Sequence, residues 1–303
     1  MTISSIETTG VVDASVSYQL LSARNDIELF CVQTAHVILG RLLLYRVAED
    51  KELLPRTISG QQVEMKLQSL SAPALLHTMP EPFFVDLYLS TRRYMVDIDP
   101  GLYRLTLYDW WVMESTAREM LSPHEQRQYL QSYRELNRAI KSTLHLLNLH
   151  DFRDVESDIW REVYQHYLPK EERLRLGGFY TDDELAKLLL ELAGYAGEDL
   201  LDPACGSGTF LVEAAPYIRS RVEQQSKTRS RSAKAKKVLE GISANIKGID
   251  IHPFAVFLTQ MNLFFLTLGL FRVLETPTRA IPITSKYTRQ IIWRGRHLSV
   301  PCS

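Results

Sequence analysis

The sequence predicts a mainly α-helical N-terminal region followed by the opening of a doubly wound α/β domain. Three observations carry this expectation. Through the first 170 residues apolar positions recur at helical spacing, with no alternating strand pattern of any length. The charged stretch 170–178 (KEERLRLGG) then ends in Gly-Gly and reads as a boundary. Beyond it the order becomes helix, strand, glycine-bearing loop, helix, strand, helix, which is how a parallel, Rossmann-like sheet begins. The expected organisation is a loose arm over 1–20, a helical domain over 21–172, and a partial α/β domain over 173–303.

In the helical part, Asn25 with Glu28 three residues on has capping-box spacing. A helix is expected from there to Val47, closed by Glu49-Asp50-Lys51-Glu52 and Pro55. Residues 63–79 and 83–100 read as mixed and short, punctuated by Pro80, Pro82, Pro100 and Gly101. Ser122-Pro123 is an N-cap with proline at the first helical position. The helix it opens carries Tyr129, Leu130, Tyr133, Leu136, Ile140, Leu144 and Leu147 at helical spacing. A further helix is expected over 155–168.

In the second part, Thr181-Asp182-Asp183-Glu184 reads as a capping box for a helix to about Ala193. Residues 198–202 (EDLLD) and 246–250 (IKGID) read as short buried strands, and Phe210 to about Gln225 as a helix. Residues 254–271 are 18 uncharged positions, near the lower bound for a membrane span. Gln260 and Asn262 sit mid-run and Gly269 interrupts it, so a buried core helix is the expectation.

Composition narrows the class. The chain has 303 residues, 45% of them hydrophobic, and 35 Lys+Arg against 36 Asp+Glu. That is ordinary for a folded protein and excludes bulk disorder and a histone-like basic protein. Cys31, Cys205 and Cys302 lie far apart, with neither zinc nor disulfide spacing, which suits a reducing cytosol and leaves no metal site expected. The first residues (MTISSIETTG) lack the basic start and apolar run of a signal peptide, so a cytoplasmic location is expected.

The chemistry-bearing feature is Asp202-Pro203-Ala204-Cys205-Gly206-Ser207-Gly208-Thr209-Phe210. A strand ending in an acid, a loop with glycine at alternate positions and a helix start together let a nucleoside-type ligand lie against bare backbone and free N–H groups. An ordinary strand-to-helix turn has the same spacing. The dinucleotide fingerprint fails because Leu211 takes the third glycine position, and no Gly-Lys-Ser/Thr of a P-loop occurs. Asp250 ends the next strand, where a carboxylate can accept from ribose hydroxyls. It lies 44 residues beyond Gly206, about twice the minimal spacing. The excess falls at Arg219 to Lys237, with eight Lys/Arg and one Glu among 19 residues. This reads either as a solvated insertion or as a segment contacting DNA phosphates. Its +7 leaves −8 for the rest of the chain, so any attraction to nucleic acid is local. Tyr108-Asp109-Trp110-Trp111 reads either as core or as an interaction surface.

These residues resemble a known family. DPACGSGTF at 202–210 is similar to the cofactor motif of N6-adenine DNA methyltransferases of restriction–modification systems, both type I modification subunits and fused type II enzymes. Gly178-Phe179-Tyr180-Thr181 resembles their G-x-F/Y-Y-T-P element, and Gly248-Ile249-Asp250-Ile251-His252-Pro253 their G-I-D-I-x-P motif. The likeness covers about 150–283 and, more weakly, 20–60. It implies S-adenosylmethionine as cofactor. Phe179, Tyr180 and Thr181 would pack on it, Asp202, Ala204, Gly206 and Gly208 would line its methionine and sugar, and Asp250 would bind the ribose with Ile251 against adenine. Asp182 stands where the family has proline. Cys205 is not read as a nucleophile, since amine methylation needs no enzyme–base adduct.

The resemblance is incomplete. The family activates its exocyclic amine and stacks the flipped base with an N/D-P-P-Y/F/W tetrapeptide, and this sequence holds no Pro-Pro. The family's Asp-Ser-Leu after the third strand is replaced by Lys286-Tyr287-Thr288-Arg289-Gln290. The 53 residues after Asp250 are too few for the remaining strands of a seven-stranded sheet. The expectation is an N-terminal fragment or split subunit, inactive by itself, with a second chain carrying the catalytic motif. The alternative is a non-catalytic DNA- or protein-interaction module with a degenerate methyltransferase remnant. A small-molecule methyltransferase fits the long helical N-terminus less well. An incomplete sheet would leave Phe254, Phe257, Leu258, Phe264, Phe265 and Leu268 exposed, while the helical domain would fold by itself.

Overall fold

The computed structural model describes residues 24–61, 63–65, 83–96, 100–103, 106–112, 120–155 and 181–274. The expected helix over 155–168, the arm over 1–20 and the tail beyond 274 lie outside them. In chain order the elements are α1 (Arg24–Asp50), α2 (Phe83–Val96), α3 (Pro100–Tyr103), a 3-10 turn (Leu107–Asp109), α4 (Pro123–Asn148), α5 (Asp183–Leu192), β1 (Leu200–Asp202), α6 (Thr209–Gln225), α7 (Arg231–Asn245), β2 (Ile246–Gly248) and α8 (Pro253–Phe271).

α1 is the axis of the helical region. It starts at Arg24, one residue before the expected Asn25 cap, and every residue from 40 to 50 is buried. Four of those residues carry a charge, and each charge is met internally. Arg41 donates to Leu102 O (2.9 Å), Tyr88 Oη (3.1 Å) and Asp109 Oδ1 (2.8 Å). Arg46 pairs with Asp50, whose other oxygen accepts the Phe152 N–H. Glu49 Oε1 accepts the Thr57 and Ile58 N–H groups. Buried charges satisfied in this way fix α1 against the chain around it. Asp109 belongs to the Tyr108–Trp111 cluster and also closes a capping box with Thr106. Tyr108 and Trp111 are core residues, and only Trp110 stands half out, with its indole N–H on Thr34 Oγ1.

α4 begins as its sequence dictates. Ser122 and Glu125 cap each other's backbone, with Pro123 in the first turn. Tyr133, Ile140 and Leu144 are buried, whereas Leu130 points to solvent. The stretch 83–96, read from sequence as mixed and short, is a continuous helix.

The second region holds a two-stranded parallel sheet, with Leu200 opposite Ile246 and Asp202 opposite Gly248. Two helices make the crossover. The basic stretch 219–237 is therefore not one loop: it is the end of α6, a five-residue link and the start of α7. The extra spacing before Asp250 is α7 itself, which buries Ala235, Val238, Leu239 and Ile242. A capped amphipathic helix fills the crossover because a bare loop would leave that side of the sheet uncovered. At α5 the cap is Asp182 rather than Thr181. The Asp182 carboxylate accepts the Glu184 and Leu185 N–H groups at 2.9 and 3.2 Å.

α8 overturns the expected exposure. Phe254, Phe257, Leu258, Phe264, Phe265 and Leu268 are all at most 5% exposed. They share one core with α1, α2 and α4, while Leu263 joins the core of α5, α6, α7 and β2. The helical region, not later strands, covers them, and each such burial stabilises by about 1.5–3 kcal/mol. Among the described residues, α1 (from Ile27) and α8 are the two helices long and apolar enough to cross a membrane, and their apolar windows are 50% and 61% buried within the protein.

Candidate functional site

The site is built at the carboxyl ends of β1 and β2, where open α/β sheets bind ligands. Parallel pairing brings the two strand-ending acids together. The register continues past the strands, with Ile249 N–H donating to Asp202 O and Cys205 N–H to Ile249 O, both at 2.9 Å. The chain then turns through Ala204 to Gly208 and enters α6.

Two glycines shape the turn for different reasons. Gly208 has φ +86°, and a Cβ there would stand 2.9 Å from Thr259 Cγ2. The close approach of α8 to the loop demands its missing side chain. Gly206 has φ +54°, and a Cβ there would meet nothing within 4 Å. Its Cα face is open, as a ligand lying against backbone requires.

The Asp250 carboxylate holds the loop. One oxygen accepts the Gly206 N–H at 2.9 Å and the other the His252 N–H at 2.7 Å. Asp202 Oδ1 accepts the Ala204 N–H at 3.1 Å. Burial raises the Asp202 pKa above the ordinary 3.8, the Ala204 N–H pulls it back, and the neighbouring Asp250 charge adds to the rise. Among the described residues neither acid has a salt-bridge partner, so the pair suits a ligand that carries positive charge.

Cys205 is buried, and burial pushes its thiol up to about 12. Packed and held as the thiol, it lacks the lowered pKa of a reactive thiolate. Burial also holds the His252 imidazole below its ordinary 6.5. Its neutral Nδ1 accepts the Phe254 N–H at 3.3 Å and caps α8.

Of the residues singled out from sequence, Asp202, Ala204, Gly206, Gly208 and Asp250 are brought together. Ile251 projects beside them, 81% exposed. Thr181 is half-buried at the start of α5, and Phe179 and Tyr180 lie outside the described residues. Sequence reasoning missed Thr259 and Asn262. Thr259 Oγ1 donates to Gly206 O (2.8 Å) and Asn262 Nδ2 to Ser207 O (2.9 Å). Their signal was available: two polar residues three apart, hence on one helix face, in a run whose other polar residues are Gln260 and Thr267. The basic link 226–230 sits at the other end of α6, which at 17 residues is about 25 Å long.

Residues 176–275 match the family described as RMKL-like methyltransferase domain. Over 112 residues the chain is 37% identical to the type I restriction enzyme MjaIX methylase subunit of Methanocaldococcus jannaschii, a stretch covering 35% of this chain and 17% of that protein. It is 30% identical over 83 residues to the MjaVII methylase subunit of the same organism, covering 26% of this chain and 14% of the relative. The resemblance carried by the three motifs is thus the one found by comparison: the chain is similar to methylase subunits of type I restriction enzymes and carries a methyltransferase-domain segment.

Proposed function

We propose that this chain supplies the cofactor-binding part of an S-adenosylmethionine-dependent N6-adenine DNA methyltransferase in a restriction–modification system. The observation that carries the reading is the open Cα face of Gly206, set between Asp202 and Asp250 at the ends of two parallel strands. When bound, S-adenosylmethionine supplies a methyl group that an amine can attack. Asp202 meets its positive charge, Asp250 keeps the loop in shape and offers its remaining lone pairs to the ribose, and Gly206 and Gly208 keep the backbone bare. Phe179, Tyr180 and Thr181 close over the cofactor, with Ile251 against its adenine. The base-activating tetrapeptide comes from a second chain or another segment, since these 303 residues contain no Pro-Pro. The basic stretch from Arg219 to Lys237 contacts DNA phosphates away from the cofactor, because α6 separates the two. The non-catalytic alternative would use the Tyr108–Trp111 cluster as an interaction surface, and burial of Tyr108 and Trp111 counts against it.

Calorimetry with S-adenosylmethionine tests the proposal. The chain binds, and Asp202→Asn weakens binding about tenfold or more, the worth of a charge-assisted hydrogen bond of roughly 1.5–3 kcal/mol. Affinity also falls on acidification toward the raised Asp202 pKa, because a cationic ligand favours the ionised acid and its binding releases the proton. Labelled methyl transfer to adenine by the chain alone stays at the heat-killed level. Equal affinity in parent and Asp202→Asn, or no binding by the folded parent, refutes the assignment.

A further inference from the structure

Two consecutive carbonyls of the glycine loop are held by α8. Thr259 Oγ1 donates to Gly206 O at 2.8 Å, and Asn262 Nδ2 donates to Ser207 O at 2.9 Å. Elsewhere on α8, Phe254, Phe257, Leu258, Met261, Phe264 and Phe265 lie in the helical core. The helix that grips the loop is therefore itself fixed by packing.

Packing does not account for the amide. Asn262 is buried, and its Oδ1 has no hydrogen-bond partner among the described residues. A buried acceptor left unanswered costs stability, and a leucine of similar size would avoid that cost. What the residue gains is the Nδ2 bond to the loop.

Peptide geometry gives this grip a consequence. In a trans peptide unit the C=O and N–H point to opposite sides. The 206–207 unit is trans, and its carbonyl is tied to Thr259. Its N–H, that of Ser207, therefore points away from α8. Among the described residues that N–H has no acceptor. Gly208 caps α6 without a side chain, which leaves the Thr209 and Phe210 N–H groups without an acceptor as well. Gly206, with open space at its Cα, puts up little resistance to rotation of the unit. Without the Thr259 hydroxyl the unit is free to turn over and present its oxygen instead.

The proposed cofactor supplies the reason. S-adenosylmethionine carries positive charge, which suits Asp202 and Asp250, and one carboxylate, which they repel. The open N–H groups of Ser207, Thr209 and Phe210, at the positive end of α6, are what the loop offers that carboxylate. We propose that Thr259 and Asn262 are positioning residues for the cofactor carboxylate: by claiming the Gly206 and Ser207 carbonyls they keep the Ser207 N–H turned toward it. The inference rests on the cofactor reading above and adds to it two residues that act through the loop.

Calorimetry tests it with S-adenosylmethionine and its decarboxylated form, which keeps both positive groups and lacks only the carboxylate. Thr259→Val preserves the side-chain shape and removes the donor, whereas Thr259→Ser keeps the donor. The preference for S-adenosylmethionine over the decarboxylated form should fall about tenfold in Thr259→Val, as a charge-assisted hydrogen bond is lost. It should return in Thr259→Ser and fall in the same direction in Asn262→Leu. Should Thr259→Val fail to fold, Asn262→Leu decides. An unchanged preference overturns the proposal, because a purely structural role weakens both ligands alike. Binding of neither ligand by the folded parent refutes the cofactor reading itself, so the two failures are told apart.

Discussion

The two cores joined by α8 handle their polar groups in opposite ways. In the helical core Arg41, Arg46, Glu49, Asp50 and Asp109 are buried and answered by partners within the protein. At the strand ends Asp202 and Asp250 stand half-buried, facing backbone N–H groups and, among the described residues, no cation. A region whose charges close on themselves is scaffold. We propose that a region gathering two carboxylates and an open glycine without neutralising them serves a ligand.

Removing α8 is the most severe way to break this comparison. Residues 21–172 alone lose the helix that carries Phe254, Phe257, Leu258, Phe264 and Phe265 into their core. They should aggregate or unfold without cooperativity, read by light scattering and thermal melts against the full chain. A soluble, cooperatively melting 21–172 would show that α8 is only a neighbour.

The glycine pair separates shape from binding more gently. Gly208→Ala meets Thr259 and a left-handed φ together, so it should destabilise by about 1–3 kcal/mol. Gly206→Ala has open space and an accessible left-handed φ, and should cost about 1–2 kcal/mol. Its methyl group stands where a ligand would lie, so cofactor binding should fall further than stability. Urea unfolding and calorimetry on both variants give the ranking, and the reverse order would exchange the roles of the two glycines.

The smallest effect tests the cap from which α8 leaves the site. His252 titrates below its ordinary 6.5 in the folded chain. The unfolded chain therefore takes up a proton first as pH falls, and stability declines from about pH 6.5 down through the lowered value, with no contribution above it. His252→Asn keeps a capping side chain without titrating, so its melting temperature should lack that acid slope. Parallel slopes in parent and variant would remove His252 from the account.

Much of this was legible because it is local. Ser122-Pro123 opened α4 as read, and the acid–glycine–glycine pattern of 202–208 marked the turn, since caps and left-handed positions depend on a few adjacent residues. The short strands were placed within two residues for the same reason. The stretch 83–96 was misread because burial of Val85, Tyr88 and Met95 against other helices, not its own pattern, stabilises it as a helix.

The sequence by itself determined the strand, glycine-turn and helix order around the site, its two acids and the absence of a Pro-Pro pair, all properties of residues near one another in the chain. Tertiary structure alone decided that α8 would be covered by α1 and α4, that Arg41 would meet Asp109 across 68 residues, that Asp250 would hold Gly206 across 44, and that Thr259 would approach Gly208 too closely for any side chain. Such contacts depend on which surfaces meet once every element has buried its apolar face, and hydrophobic burial has no direction until the neighbours are in place.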